Sequence, residues 1–86
     1  MPKYGYTLYS QDGTVTTDFR TNKFTLAELK NFIGGRIEIL PIKIPEISSV
    51  YDVYIVSEDG AHYLQPNPMF PEFYGPVLAT TKKLLN

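Results

Sequence analysis

Apolar and polar residues alternate along the first part of the chain, and their period predicts a β-hairpin. In the stretch 4–10, tyrosine and leucine occupy every second position, and the stretch 14–19 continues the alternation with valine, threonine and phenylalanine. A period of two is typical of strands with one apolar face. Asp12 and Gly13 lie between the two stretches, where an Asp-Gly pair is a strong hairpin signal. We therefore predict two antiparallel strands joined by a tight turn.

The spacing changes after Phe24, where apolar residues recur at intervals of three and four and predict a short helix. These residues are Leu26, Leu29, Phe32 and Ile33. Thr25 and Glu28 have the spacing of a capping box, and Phe24 precedes the cap in the position of a hydrophobic staple. Gly34 and Gly35 then end the helix, since the first glycine after a helix usually adopts a positive φ. A phosphate-binding role is not expected, because anion-binding glycine loops precede a helix.

The rest of the chain predicts further short strands separated by a proline-rich segment. The predicted elements are a strand at 36–40, a loop at 43–49, a strand at 51–57, a turn at 57–60, a return strand at 61–65 and a last strand at 77–80. Pro41 limits the first of these strands to an edge, a bulge or an early end. Pro66 to Pro76 contains four prolines, which exclude an ordinary helix or central strand.

These elements predict an α+β fold. It consists of a small, mostly antiparallel sheet of about five or six strands, formed by two hairpins plus edge strands and packed by one short helix. The 86 residues correspond to a single domain, 1–86. The chain is 43% hydrophobic and 14% aromatic, which is sufficient for a folded core and argues against disorder.

Composition and charge exclude some classes of function and disfavour others. The chain lacks cysteine, which excludes disulfides and thiolate metal sites and fits a reducing cytoplasm. The formal net charge of -1 gives no long-range attraction to nucleic acid. No basic-then-apolar leader opens the chain, and no apolar run approaches the ~20 residues needed to span a bilayer. We expect a cytoplasmic protein with no membrane segment, and the charge disfavours a nucleic-acid partner without excluding a local basic patch.

Residues suited to catalysis or metal binding are few. His62 is the only histidine, whereas transition-metal sites usually need two or more His or Cys ligands. No serine near His62 has the pattern of an activated nucleophile, so His62 is predicted to be structural or exposed. Glu38 either faces solvent on an edge strand, or pairs with Arg20 or Lys43, or accepts amides of the Gly34-Gly35 turn. We predict no catalytic residue, no metal and no cofactor, and therefore no enzyme.

Large side chains of the proline-rich segment are better candidates for binding. Phe70 and Phe73 are predicted to fill the core, since a chain this short must bury its large side chains. Met69 and Tyr74 are predicted to contact a partner. Tyr9 in the first strand and Arg36 after the glycine pair are added, so the predicted contact set is Tyr74, Met69, Tyr9 and Arg36.

The passage from helix to strand resembles an uncharacterised family of small proteins from phages, plasmids and other bacterial mobile elements. Leu29 followed by Ile33-Gly34-Gly35-Arg36-Ile37-Glu38 is similar to the family's most specific motif, although Arg36 stands where an aromatic residue is usual. Val53 to Gly60, Leu64 to Pro68 and Gly75 to Leu78 are similar to its hairpin, its Leu-Pro-x-Asn stretch and its Gly-hydrophobic end. The resemblance implies a mobile-element accessory protein and no assigned activity.

Three functions remain open on the sequence alone. The first is a small module that binds an unknown protein partner, with a homodimer through an edge strand as a related alternative. The second is a small-ligand or nucleotide-binding domain, with a pocket between the helix, the proline-rich segment and the sheet. The third is a weak nucleic-acid binder, which requires one basic patch formed by Arg20, Lys23, Arg36 and Lys43.

Overall fold

A computed structural model describes residues 2–85 and shows one five-stranded sheet packed by one α-helix. The strands are β1 (Tyr4–Tyr9), β2 (Val15–Arg20), β3 (Ile37–Leu40), β4 (Val53–Ser57) and β5 (Val77–Thr80). The helix is α1 (Leu26–Ile33), and 3-10 turns occupy Gly60–His62 and Lys82–Leu84. The sheet order is β2-β1-β5-β4-β3, and every neighbouring pair is antiparallel. The predicted α+β class is confirmed.

Both faces of the central strands are covered, so β4 and β5 carry the core. Towards α1 the buried cluster consists of Phe24, Leu29, Ile33, Val53, Ile55, Leu78 and Leu84. On the opposite face, coil segments after β3 and before β5 cover the cluster Tyr9, Tyr51, Tyr54, Val56, Phe70, Val77 and Ala79. Successive residues of a strand point to opposite faces. Continuous apolar runs in β4 and β5 are therefore what a sheet covered on both faces requires.

The capping signals of α1 are confirmed. The Thr25 hydroxyl accepts the Glu28 N–H at 3.1 Å, and the Glu28 carboxylate accepts the Thr25 N–H at 2.9 Å. Gly34 ends the helix at φ 89°, a left-handed conformation that glycine adopts without a Cβ clash. The apolar stripe is only partly buried, however. Leu26 was predicted to lie on it, but its side chain is exposed.

Arg20 joins the end of β2 to the first turn of α1. Its guanidinium donates to both oxygens of the Glu28 carboxylate, at 2.9 and 3.1 Å, and lies 4.2 Å from the centre of the Phe24 ring. The Arg20 hydrogen bonds, with the Thr25 N–H next in importance, lower the pKa of Glu28 below its ordinary value of 4.5. The ionised form of Glu28 is thus the one that the fold favours.

We expect this arrangement to make the protein less stable in acid. Because the pKa of Glu28 is lower in the folded state, its contribution is complete above pH 4.5 and is lost as the pH falls through the folded value. Glu28→Gln should therefore flatten the acid side of a plot of unfolding free energy against pH. Urea unfolding between neutral pH and the acid limit measures this effect. A curve for Glu28→Gln as steep as that of the wild type would contradict it, and Glu72→Gln serves as an exposed control.

The predicted return strand at 61–65 is wrong. After β4 the chain leaves the sheet through the 3-10 turn Gly60–His62, and β4 pairs with β3 and β5 instead. β5 occupies the position beside β4 that a return strand would need. Gly60 is buried against the following segment, where an added Cβ would lie 2.7 Å from the Tyr74 carbonyl oxygen. That close approach requires a residue without a side chain at the turn.

Asn67 fixes the proline-rich segment against the sheet. Its side-chain amide is buried and donates to the carbonyls of Tyr9 at 3.0 Å and Gly75 at 2.8 Å. Its side-chain oxygen accepts the N–H groups of Met69 at 2.9 Å and Phe70 at 3.2 Å. One side chain thus replaces the backbone partners that the prolines cannot provide. It also places Phe70 in the core as predicted, while Phe73 packs against the cluster and is partly buried.

Two tyrosine hydroxyls in the coil-covered core differ in whether they have a hydrogen-bond partner. Tyr51 Oη lies 2.7 Å from Thr7 Oγ1, which is 2.9 Å from Thr17 Oγ1. Tyr54 Oη, in contrast, has no hydrogen-bond partner among residues 2–85. Burial, followed by the nearby Tyr9 and Tyr51, raises the pKa of Tyr54 above 10.0, so the hydroxyl stays neutral.

We expect Tyr54→Phe and Tyr51→Phe to change stability in opposite directions. Tyr54→Phe removes a buried hydroxyl without a partner and should stabilise the fold by about 1 kcal/mol. Tyr51→Phe leaves Thr7 with one partner fewer and should destabilise it by about 1 kcal/mol. Urea unfolding of both variants measures the difference. Destabilisation by Tyr54→Phe would show that its hydroxyl has a partner in solution.

Candidate functional site

An apolar groove opens beside the first turn of α1, and we call it the helix-face groove. It has a volume of about 570 Å³. Its lining residues are Phe24, Leu26, Leu29, Ile39, Pro41, Val53, Lys82 and Leu85. These residues come from α1, the end of β3, the start of β4 and the last turn. The groove therefore lies where the beginnings of α1 and β4 meet the end of β3 and the last turn.

Local sequence determines which lining side chains stay exposed. Phe24, Leu29 and Val53 form a buried floor. Leu26, the first residue of α1, is 57% exposed, and Ile39 near the end of β3 is 47% exposed. Exposed apolar side chains gathered around a groove are characteristic of interaction sites. Single exposed apolar residues elsewhere on the surface need no such explanation.

Lys82 is the only charged residue among those that line the groove. Its backbone N–H donates to the Asp52 carboxylate at 2.9 Å, which fixes the position of the last turn. Within the described chain, the Lys82 ammonium forms no ion pair. A long aliphatic stem with a charged end suits the rim of an apolar groove. The groove can thus accept apolar groups and one anionic group.

The groove adjoins an open sheet edge. The Arg36 carbonyl accepts the Glu58 N–H at 3.0 Å, and Glu38 lies opposite Val56 in the register of β3 and β4. Backbone groups in antiparallel pairs alternate between facing the partner strand and facing away. Those of Glu38 therefore face β4, whereas those of Ile37 and Ile39 point out of the sheet. Ile39 contributes its side chain to the groove and its backbone to the free edge.

The other edge of the sheet, β2, is partly blocked. The Ser10 N–H donates to the Thr14 carbonyl at 2.8 Å, and by the same alternation the backbone groups of Val15, Thr17 and Phe19 point outward. The Phe19 N–H, however, donates to the Asp18 carboxylate at 2.8 Å. A charged side chain placed over its own strand edge is a known protection against edge pairing. The β3 edge is therefore the more accessible of the two.

The predicted contact residues do not all lie together: Tyr9 and Met69 line one small cleft of about 110 Å³, which Tyr74 and Arg36 do not line. Met69 and Tyr74 are exposed, Arg36 is exposed and forms an ion pair with Glu58 at 3.1 Å, and none of them lines the helix-face groove. Tyr9 is only 8% exposed and packs edge-to-face on Phe70, and its contact role stays a prediction. Its alternating position in β1 places it on the coil-covered face, where the proline-rich segment buries it.

Sequence reasoning missed Leu26, Ile39 and Lys82 as candidate site residues. Leu26 belongs to the apolar stripe of the helix and Ile39 lies within the predicted strand 36–40, so neither pattern indicates a binding site. The available signal was their position: Leu26 lies in the first turn of a short helix, and Ile39 lies next to a proline that ends an edge strand. Residues at the ends of elements have fewer neighbours to cover them.

The other residues considered for nucleic-acid binding, catalysis or metal binding are spread over the surface. Arg20 pairs with Glu28 and Arg36 pairs with Glu58, and the two arginines belong to opposite edges of the sheet. The four cations considered for nucleic acid therefore do not form one patch. His62 and Glu38 are exposed. In the span 2–85, no three His, Asp or Glu residues come together in a way that could hold a metal ion.

Within the part of the chain described here, no helix has the length and apolar character needed to cross a bilayer. Comparisons of the chain with protein-family models, with curated proteins and with solved structures found no match.

Proposed function

We propose that this chain is a small protein-interaction module without catalytic activity, which acts in the cytoplasm as an accessory protein of a mobile element. The observation that carries the proposal is the helix-face groove, where Leu26 and Ile39 remain exposed around a volume of about 570 Å³. The mobile-element setting is supported only by the resemblance to the mobile-element family, which is most specific in the segment 33–38. The groove supports the interaction itself.

The lining of the groove favours a protein partner over a small molecule. Small-molecule sites commonly have volumes of about 300–1,000 Å³, so size alone does not separate the two. Such sites also place several polar groups to orient the ligand, whereas this lining offers one charged group, Lys82. Apolar anchors with a charged rim are typical of protein–protein contacts. A nucleotide, with its phosphates, finds no matching set of cations here.

The test is affinity capture from the organism that encodes the chain, followed by mass spectrometry. Leu26→Glu places a charge in the groove, yet the first turn of a helix tolerates glutamate well. Val15→Glu is the matched control, because Val15 is 52% exposed against 57% for Leu26 and lies on the β2 edge. We expect Leu26→Glu to lose the captured partner and Val15→Glu to retain it. Equal capture by both variants would overturn the proposal.

A further inference from the structure

We propose that the helix-face groove and the outer edge of β3 together bind an extended peptide segment, with apolar side chains at alternate positions and a carboxylate that meets Lys82. This inference rests on the proposed function and specifies the kind of partner. Three features of the described chain carry it: the outward-facing backbone of β3, the position of the groove beside it, and Lys82, a lining residue that forms no ion pair with the residues described.

The backbone of β3 can accept one further strand. The N–H and C=O groups of Ile37 and Ile39 point away from β4, as the register requires. Unpaired groups along a strand edge form a template for an extended peptide, which gains its affinity from main-chain hydrogen bonds. Pro41 has no N–H and follows β3 directly, so the paired stretch is short and ends there.

The groove lies on the side of β3 where such a peptide would present every second side chain. A strand added to a sheet lies about 4.8 Å from its neighbour, and its side chains alternate between the two faces. On the α1 face, Ile39, Leu26 and Pro41 line the groove. Apolar side chains at alternate peptide positions would enter it, and the intervening positions would face the other side. A helical partner would instead present its anchors at intervals of three and four.

The charge of the groove indicates which charged group the bound peptide should carry. The lining contains one cationic residue, Lys82, and no acidic residue. A carboxylate on the peptide complements that charge, whereas a basic peptide would meet an unpaired like charge. The β2 edge is less suited to such a segment, because the Asp18 carboxylate occupies the Phe19 N–H and would repel an acidic peptide.

The test begins with a displayed library of short random peptides selected against the whole protein. We expect the enriched sequences to alternate apolar and polar positions and to contain an acidic residue. Lys82→Glu should weaken the binding of an enriched acidic peptide by about fivefold to tenfold, since a rim ion pair is replaced by repulsion. Lys83→Glu is the matched control: its ammonium lies 5.8 Å from the centre of the Tyr4 ring and does not line the groove, so affinity should not change.

Amide hydrogen exchange on the same complexes distinguishes strand addition from other modes of binding. A saturating peptide should slow the exchange of the Ile37 and Ile39 amides, because each would gain a main-chain acceptor. Peptides that need Leu26 but leave these amides unprotected, or that show helical spacing, would overturn strand addition while the proposed function stands. Failure to enrich any groove-dependent peptide would also overturn the inference. Partner capture that is insensitive to Leu26→Glu would in addition remove the function on which it rests.

Discussion

Replacement of Asn67 by alanine is expected to lower the free energy of unfolding by about 3–5 kcal/mol, the combined effect of leaving several buried backbone groups without partners. The side chain that is removed donates to the Tyr9 and Gly75 carbonyls and accepts the Met69 and Phe70 N–H groups. Small domains are stable by about 5–15 kcal/mol. This one substitution is therefore expected to bring the protein close to unfolding at ambient temperature.

Urea unfolding followed by circular dichroism measures the effect of Asn67→Ala. Asn31→Ala provides the control, since Asn31 is exposed in α1 and alanine is at least as good a helix former there. The control should change stability by less than about 0.5 kcal/mol. Similar values for the two variants would mean that the hydrogen bonds of Asn67 do not hold the proline-rich segment in solution.

Gly60→Ala is expected to destabilise the fold by about 2–3 kcal/mol, the upper range for overpacking at a tight site. The added Cβ would lie 2.7 Å from the Tyr74 carbonyl oxygen and 3.0 Å from the Ser57 Cβ. The carbonyl oxygen belongs to the backbone, so no rotamer change relieves the overlap. The turn after β4 and the segment around Tyr74 must then separate, and the core around Phe70 loosens with them.

Gly34→Ala measures the effect of a positive φ without the effect of a close contact. Gly34 has φ 89°, but an added Cβ would meet no atom within 4 Å. Its substitution should destabilise by about 1 kcal/mol, through backbone strain alone. Thermal unfolding of both variants compares the two effects. Gly60→Ala as mild as Gly34→Ala would contradict the close approach of the two segments.

Local signals in the sequence were sufficient for the helix and the first hairpin. The capping box of Thr25 and Glu28, the stop at Gly34 and the turn at Asp12-Gly13 depend on residues only a few positions apart. Such interactions form in the same way in many folds. The fold class followed, because one amphipathic helix among short strands must cover an antiparallel sheet.

The misplaced strand at 61–65 shows where local patterns fail. Its alternation is compatible with a strand, but pairing beside β4 is decided by β5, more than ten residues further along the chain. The contacts of the Asn67 side-chain nitrogen likewise depend on residues outside its immediate neighbourhood. Two of its four hydrogen-bond partners, Tyr9 and Gly75, lie 58 and 8 positions away. Long-range competition of this kind leaves no local signature.

The candidate site was the least predictable part of the molecule. Leu26 and Ile39 have the residue types and spacing of core positions, and only the arrangement of four element ends leaves them uncovered. Tyr9, which belongs to the predicted contact set, is largely covered by the proline-rich segment. Apolar pattern indicates that a side chain faces inward on its own element, but not whether another element covers it.

The most direct test of the central claim is site-specific photo-crosslinking in the cells that normally make the protein. A benzophenone amino acid in place of Leu26 would report what occupies the helix-face groove, and the same group in place of Val15 would report the β2 edge. We predict a discrete adduct with another protein from position 26 and none from position 15. The absence of an adduct at position 26, or equal adducts at both positions, would contradict the assignment of the groove as the interaction surface.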